Sequence, residues 1–564
     1  MARLVIVVLS LLAIISSCAC SFKVVEHTFH VGNHTVKRFC KKNIITAVNG
    51  KFPGPTVNAH EGDTVKVHVI NESPYNITIH WHGIFQRLTQ WADGPSYITQ
   101  CPIMPGNRYT YKFNVTGQEG TLWWHAHFSV LRATVYGALV IRPRGGAKAY
   151  PFPKPRKEAT ILLGEWWDGN VVDLENAADA QGLAMNISDA FTINGRPGDL
   201  YPCRKKHTYK LEVEHGETYL LRIVNAALNN QFFYKIASHS FVVVAVDASY
   251  TTPYATEVIV IAPGQTVDAL LVANATPGRY YMAAHAYIST PNASFDNTTT
   301  TGILAYRSCR ALLPPLLPML PNFNDTPTAH RFYSGLTSLA RPGSQAVPLV
   351  IDEHMFVTIG LALAPCGSNQ PLCRGQALAA AMNNVSFRFP TTKSLLEAHF
   401  RNIPGLYTAD FPDHPPLFFD FTNGGVNAVP SLLFAEKGTK AKRLRYNSTV
   451  EMVLQNTAIL AIESHPMHLH GFNFFVLAQG FGNYNATEAV KLYNLVNPQT
   501  RNTIAVPTGG WAVIRFTADN PGVWIMHCHL DAHLSLGLAM VFEVEDGPTQ
   551  FSKLPPPPPD FLRC

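Results

Sequence analysis

Residues 64–71, TVKVHVIN, return in altered form as 449–456, TVEMVLQN, 385 positions later. A chain that repeats itself over such a distance is assembled from copies of one unit, so this feature restricts the fold before any other does. At the same offset His80 falls on His465, and both strands run into histidine-rich tracts, HWHG and HPMHLHG. Further on, GTLWWHAH (120–127) matches PGVWIMHCH (521–529), which sets Ala126 against Cys528. A middle copy is visible too. INGRPGDLY (193–201) echoes VNGKFPGPT (48–56), and GETYLLRIVN (216–225) echoes GDTVKVHVIN (62–71). Its later strand, GRYYMAAHAY (278–287), keeps one histidine, His285.

The copies consist of short Val-, Thr-, Tyr- and Phe-rich runs broken by Gly, Pro and Asn, the pattern of strands; long helical periodicity is scarce. With 564 residues the chain is too long for one core. The expected fold is all-β, with three sandwich domains at 22–145, 158–310 and 345–550. The first and third carry the histidine tracts and the second is a metal-free spacer. PRGGAKAYPFPKP and LLPPLLPMLP read as linkers, and residues 551–564, with PPPPP at 555–559, as a stiff tail.

Four H-x-H pairs occur, His80/His82, His125/His127, His468/His470 and His527/His529. Random placement of 23 histidines in 564 residues gives about one such pair. On a strand, side chains at i and i+2 share a face, so each pair presents two imidazoles to one side. Four pairs from two domains can surround one interdomain cavity with eight nitrogen donors, which suits copper far better than magnesium or calcium. In HCH the alternation turns Cys528 the opposite way from His527 and His529. With His465 and His533 it completes a His₂Cys set, the ligands of a blue-copper electron-transfer site. Leu538 and Met540 are both candidates for the axial position. Leucine there leaves the copper without a thioether donor and raises its potential.

Residues 1–20 begin with Arg3, continue through an apolar run from Leu4 to Ile15 and end in SSCAC, as a secretory signal peptide does. No later segment is long and apolar enough for a membrane helix. N-x-S/T sequons stand at Asn33, Asn71, Asn76, Asn114, Asn186, Asn274, Asn292, Asn297, Asn324, Asn384, Asn447 and Asn485. Extracellular residence is expected, and with it disulfides among Cys40, Cys101, Cys203, Cys309, Cys366, Cys373 and Cys564. Setting Cys528 aside for a metal leaves an odd number, and Cys309 is read as the one left over. The net charge of +6 is small and scattered. It calls for no nucleic acid and allows a weak contact with acidic polysaccharide.

These motifs resemble those of the multicopper oxidases, and of the plant laccases most of all. The matching windows are HWHGIFQ (80–86), HAHFSVLRATVYG (125–137), HPMHLHG (465–471) and HCHLDAHLSLGL (527–538), with WADGPSYITQCPI (91–103) beside them. The resemblance spans the chain from about residue 22 onward. It implies three cupredoxin domains, each a Greek-key β-sandwich, and four copper ions. His465, Cys528 and His533 would hold the type 1 copper, with Leu538 at a non-coordinating axial position. His80 and His468 would hold the type 2 copper. The two type 3 coppers would take His82, His125 and His529, and His127, His470 and His527. The family disulfides would be Cys101–Cys564 and Cys40–Cys203, with Cys366–Cys373 alongside.

The implied activity is that of a laccase of the cell wall or apoplast. Phenols such as monolignols lose one electron each, and dioxygen takes up four to become water. Cys528 and its neighbours His527 and His529 would carry the electrons. Asp93 resembles the family carboxylate that relays protons, though an Asp before Gly-Pro is also an ordinary turn residue. Glu463 is a second relay candidate. The stretch YKIASHS (234–240) offers Ala237 where fungal relatives bind the donor with a carboxylate, so the donor pocket does not carry over. An ascorbate oxidase or ferroxidase of the same fold is one alternative, and a non-catalytic cupredoxin-like wall protein is another. Leu538 argues against ascorbate oxidase, whose family has Met there. The eleven filled ligand positions argue against the wall protein.

Overall fold

The computed structural model describes residues 23–201, 208–309, 314–425 and 429–564. The expected signal peptide and Cys203 lie outside them. Cys40 is disulfide-bonded; its expected pairing with Cys203 falls outside the described residues. Disulfides join Cys101 to Cys564 and Cys366 to Cys373, with Cα–Cα distances of 5.2 and 5.8 Å. Cys309 packs, half-buried, against the core of the middle copy.

The fold is all-β. Among the described residues six sheets form three pairs, each pair enclosing its own apolar core. Strands of the first pair run from Val24 to Arg142, of the second from Lys157 to Tyr306, and of the third from Glu353 to Val544. Each sandwich mixes antiparallel ladders with parallel crossings. Val24–Val31 runs parallel to Thr64–Asn71, and Glu353–Ile359 runs parallel to Val450–Asn456. Among the described residues no helix is long and apolar enough to cross a membrane.

Burial separates two kinds of strand. Thr64–Asn71 alternates between buried and half-exposed residues, as a strand with one wet face must. Ile79–His82, Gly120–Ala126, His465–Leu469 and Gly522–Cys528 are buried throughout. Their inner residues, Ile79, Trp81, Trp124 and Ala126 in the first domain and Met467, Leu469, Met526 and Cys528 in the third, belong to the domain cores. The residues of opposite parity, His80, His82, His125, His468 and His527, therefore leave their own core and face another domain.

The ladder corrects the 385-residue alignment at the histidines. His80 pairs with His125 and Ile79 with Ala126. In the third domain His468 pairs with His527 and Met467 with Cys528. His80 thus corresponds to His468, not to His465. The segment joining the two strands is three residues longer in the third domain, and periodicity cannot register a change of loop length.

One sequon asparagine is turned inward. Asn71 is fully buried, and its amide nitrogen donates to the carbonyls of Tyr75 and Ile103, both at 2.8 Å. It has no accessible nitrogen for a glycan in the folded chain.

Candidate metal centre

The outward-facing histidines of the first and third domains meet in one buried cluster. His82 stacks on His468 with ring centroids 3.8 Å apart, and His80 stacks on His470 at 4.0 Å. Ligand atoms lie within 4.8 Å of one another in each of three sets: His80 with His82 and His468; His82 with His125 and His529; His127 with His470 and His527. All eight residues of the four H-x-H pairs are brought together.

The hydrogen bonds decide which nitrogen faces inward. Nδ1 of His80 donates to the Asp93 carbonyl (2.8 Å), that of His125 to Ala126 (2.9 Å), that of His468 to Asn502 (2.9 Å) and that of His527 to Cys528 (2.8 Å). His470 Nδ1 donates to the Asp93 carboxylate at 2.9 Å. His82 is turned over: its Nε2 donates to Asn502 Oδ1 at 3.1 Å, and its Nδ1 faces His529 Nε2 at 3.1 Å. Such outer partners fix the tautomer and aim the free lone pair at a metal.

Left without a metal, this arrangement is costly. Nε2 of His80, His125, His127 and His468 is buried and has no hydrogen-bond partner. Each such atom costs roughly 1–3 kcal/mol unless something binds it. Burial, followed by the neighbouring imidazoles and Arg132, pushes His82, His125, His127, His468, His470 and His529 well below the ordinary histidine range. The rings are therefore neutral, which is the form that ligates. The donor set fits a cluster of borderline-soft cations.

Cys528 lies on the far side of its strand. Its Sγ is 3.8 Å from His465 Nδ1 and 3.6 Å from His533 Nδ1, and all three residues are buried. Burial pushes the thiol well above its ordinary range, so it is a metal cation that would hold it as thiolate. The Cys528 N–H donates to the Leu538 carbonyl at 3.0 Å, which puts Leu538 directly across the ladder. Met540 pairs instead with Met526, one step further on. Of the two axial candidates, Leu538 is the one aligned with Cys528 in the ladder.

Asp93 is fully buried and touches both halves of the cluster, with Oδ2 on His470 Nδ1 and Oδ1 3.4 Å from His80 Nδ1. It is a turn residue as well. Gly94 follows at φ +100°, and a Cβ there would stand 1.9 Å from the Ile79 carbonyl oxygen. Glu463 does not sit at this cluster. Its carboxylate is 3.3 Å from His533 Nε2 and accepts from Thr290 Oγ1 at 3.3 Å, so it belongs beside the cysteine site.

A cavity of about 180 Å³ opens next to His533, between the middle and third domains. Glu165, Asn229, Asn230, Tyr287, Phe295 and Glu463 help line it. Ala237 does not; it is buried in the middle core. Burial raises the Glu165 carboxyl to about 7, against hydrogen bonds from Asn230 and the Leu228 and Asn229 amides.

Several contributors escaped the sequence reading. Arg132 is buried, lies against the His529 ring, donates to the carbonyls of His529 (3.1 Å) and Leu228 (3.3 Å), and pairs with Asp531 at 3.0 Å. It lies inside the window HAHFSVLRATVYG, where it is the one Lys or Arg and follows the apolar pair Val130 and Leu131. Gly264 of the middle domain walls the cluster: a Cβ there would meet His529 Cδ2 at 2.8 Å. Asp247 and Arg501 form a fully buried ion pair, 3.0 Å, between the middle and third domains. The middle copy thus packs against both of the others. His285 packs on Phe323, ring centroids 4.2 Å apart, and joins none of the candidate metal sets.

Three multicopper oxidase family models match the chain, over residues 30–146, 157–308 and 410–548. This chain is a multicopper oxidase of the laccase family. It is 59% identical to Laccase-25 of Oryza sativa subsp. japonica, over 98% of both chains. It is also 59% identical to Laccase-7 of Arabidopsis thaliana, over 99% of this chain and 98% of that one. The crystal structure of the laccase from Botrytis aclada superposes with a TM-score of 0.71 at 26% identity, covering 93% of this chain and 89% of that one. The laccase is accordingly a copper-dependent oxidoreductase built from three cupredoxin domains, and its histidine clusters support copper binding.

Proposed function

We propose that this laccase is a secreted enzyme holding four copper ions, one beside Cys528 and three in the histidine cluster. The observation that carries the reading is a single strand, Gly522–Cys528, whose sulfur faces His465 and His533 while the flanking His527 and His529 face the other imidazoles. Its units are 22–145, 158–310 and 345–550, with copper ligands on the first and third alone. His465, Cys528 and His533 form the type 1 set, with Leu538 as its apolar axial neighbour. His80 and His468 form the type 2 set. His82, His125 and His529, and His127, His470 and His527, form the two type 3 sets.

When bound, copper supplies one-electron oxidation at the first place and four-electron reduction of dioxygen at the second. The chain supplies the rest. Four phenols each give one electron and one proton, becoming phenoxyl radicals, and one O₂ with four electrons and four protons becomes two waters. The phenol ring lies in the cavity against His533, where the Glu463 carboxylate accepts the departing proton. Cys528 is bonded through the backbone to His527 and His529, so the path between the two places is covalent. Asp93 holds a proton at its carboxylate and hands it toward the cluster. Arg132, Asp531 and the 228–230 loop fix the segment that carries His529 and His533. The small net charge supports only a weak contact with acidic wall polysaccharide. The apolar Leu538 opposite Cys528 favours this reading over ascorbate oxidase.

Cys528→Ser tests the reading. It is expected to abolish the intense blue absorption and phenol oxidation while the histidine cluster keeps its copper. Loss of all copper from that variant, or retained phenol turnover, would overturn the two-site arrangement.

A further inference from the structure

Two sequons flank the cavity beside His533. Asn186-Ile187-Ser188 and Asn292-Ala293-Ser294 lie on separate loops of the middle domain, and residues of both loops line this one cavity. Asn186 and Asn292 are exposed. This sets them apart from Asn71, whose amide is buried and fully engaged. We propose that N-linked glycans on Asn186 and Asn292 frame the mouth of the donor cavity, admitting monomeric phenols and holding polymeric ones away.

The loops are pinned rather than loose. Trp167 Nε1 donates to the Asn186 carbonyl at 3.2 Å. Ser188 Oγ donates to Asp296 Oδ2 at 2.9 Å and ties one loop to the other. The Thr298 N–H donates to Asp296 Oδ1 at 2.9 Å, steadying the second loop. A glycan stem rooted on such backbone stays at the rim, and its sugars are bulky and hydrated. The cavity, about 180 Å³, is smaller than the roughly 300–1,000 Å³ of drug-sized ligand pockets. It suits one substituted ring, so discrimination between a free phenol and one attached to a polymer falls to whatever surrounds the mouth. Ile187, 52% exposed at this rim, is an apolar surface a polymer would otherwise contact.

This inference rests on the cavity being the donor site and on passage through the secretory route. Its test uses the copper-loaded full chain secreted by a eukaryotic host. Glycopeptide mass spectrometry reads occupancy at Asn186 and Asn292. Then kcat/KM is measured for 2,6-dimethoxyphenol and for the same phenol tethered to a branched polymer, before and after endoglycosidase trimming of the folded protein. An Asn186→Gln/Asn292→Gln double variant is measured alongside, and the trimmed protein keeps the test alive if that variant fails to fold. The polymer-to-monomer ratio of kcat/KM is expected to rise about threefold or more on trimming and in the variant. Unoccupied asparagines, or an unchanged ratio while the monomer is oxidised normally, would overturn the glycan frame alone. Failure of the loaded wild-type protein to oxidise the monomer would overturn the donor-site reading and this inference with it.

Discussion

The first and third domains place the same strand ends in the same ladder and do different things with them. Ala126 N–H donates to the Val135 carbonyl as Cys528 N–H donates to that of Leu538, and His127 N–H donates to Thr78 as His529 N–H donates to Pro466. The positions that answer to His465, Cys528, His533 and Leu538 are then Ile77, Ala126, Leu131 and Val135. All four of these first-domain residues lie in one apolar core. A pocket that holds two imidazoles and a thiol in one copy is filled by hydrocarbon in the other. The outward faces of the two copies, by contrast, both keep their histidines. The cluster between domains needs both copies, whereas the cysteine site is internal to one, so losing it from the other costs the shared cluster nothing.

This contrast can be broken most severely at His533. His533→Leu gives the third domain the residue that the first has at that place. Phenol-dependent O₂ uptake is expected to fall well beyond the roughly 100-fold typical of outer-partner changes, with one copper lost per chain; normal turnover with full copper would refute the equivalence. Next in size is the clamp between the middle and third copies. Arg501→Met leaves Asp247 buried and unpaired, and is expected to cost about 3–5 kcal/mol, read as a lower urea midpoint; an unchanged midpoint would show that the domains dock without the pair. Asp93→Asn touches only the shared cluster. Turnover should fall about 10–100-fold while anaerobic bleaching of the blue colour by phenol keeps its rate; slowed bleaching would move Asp93 to the donor side. The smallest change is Leu538→Met, a swap that typically costs under about 1.5 kcal/mol of stability. It is expected to lower the type 1 potential in redox titration, and an unchanged potential would remove Leu538 from the axial position.

Much of this molecule could be read along the chain because the information is local. The alternation of Thr64–Asn71, the i and i+2 spacing of each H-x-H pair and the opposed direction of Cys528 all follow from strand geometry within a few residues. They yield the all-β class, the repeated unit and the type of metal. The tertiary structure alone decided the matching of His80 with His468, the contact of Asp93 with His470 across 377 positions, and that of Arg132 with His529 across 397. It also moved Glu463 from the cluster to the side of His533, buried Asn71, and shaped a cavity beside His533 from loops of two domains. These features depend on loop lengths and on how finished sandwiches dock, and neither quantity leaves a period in the sequence.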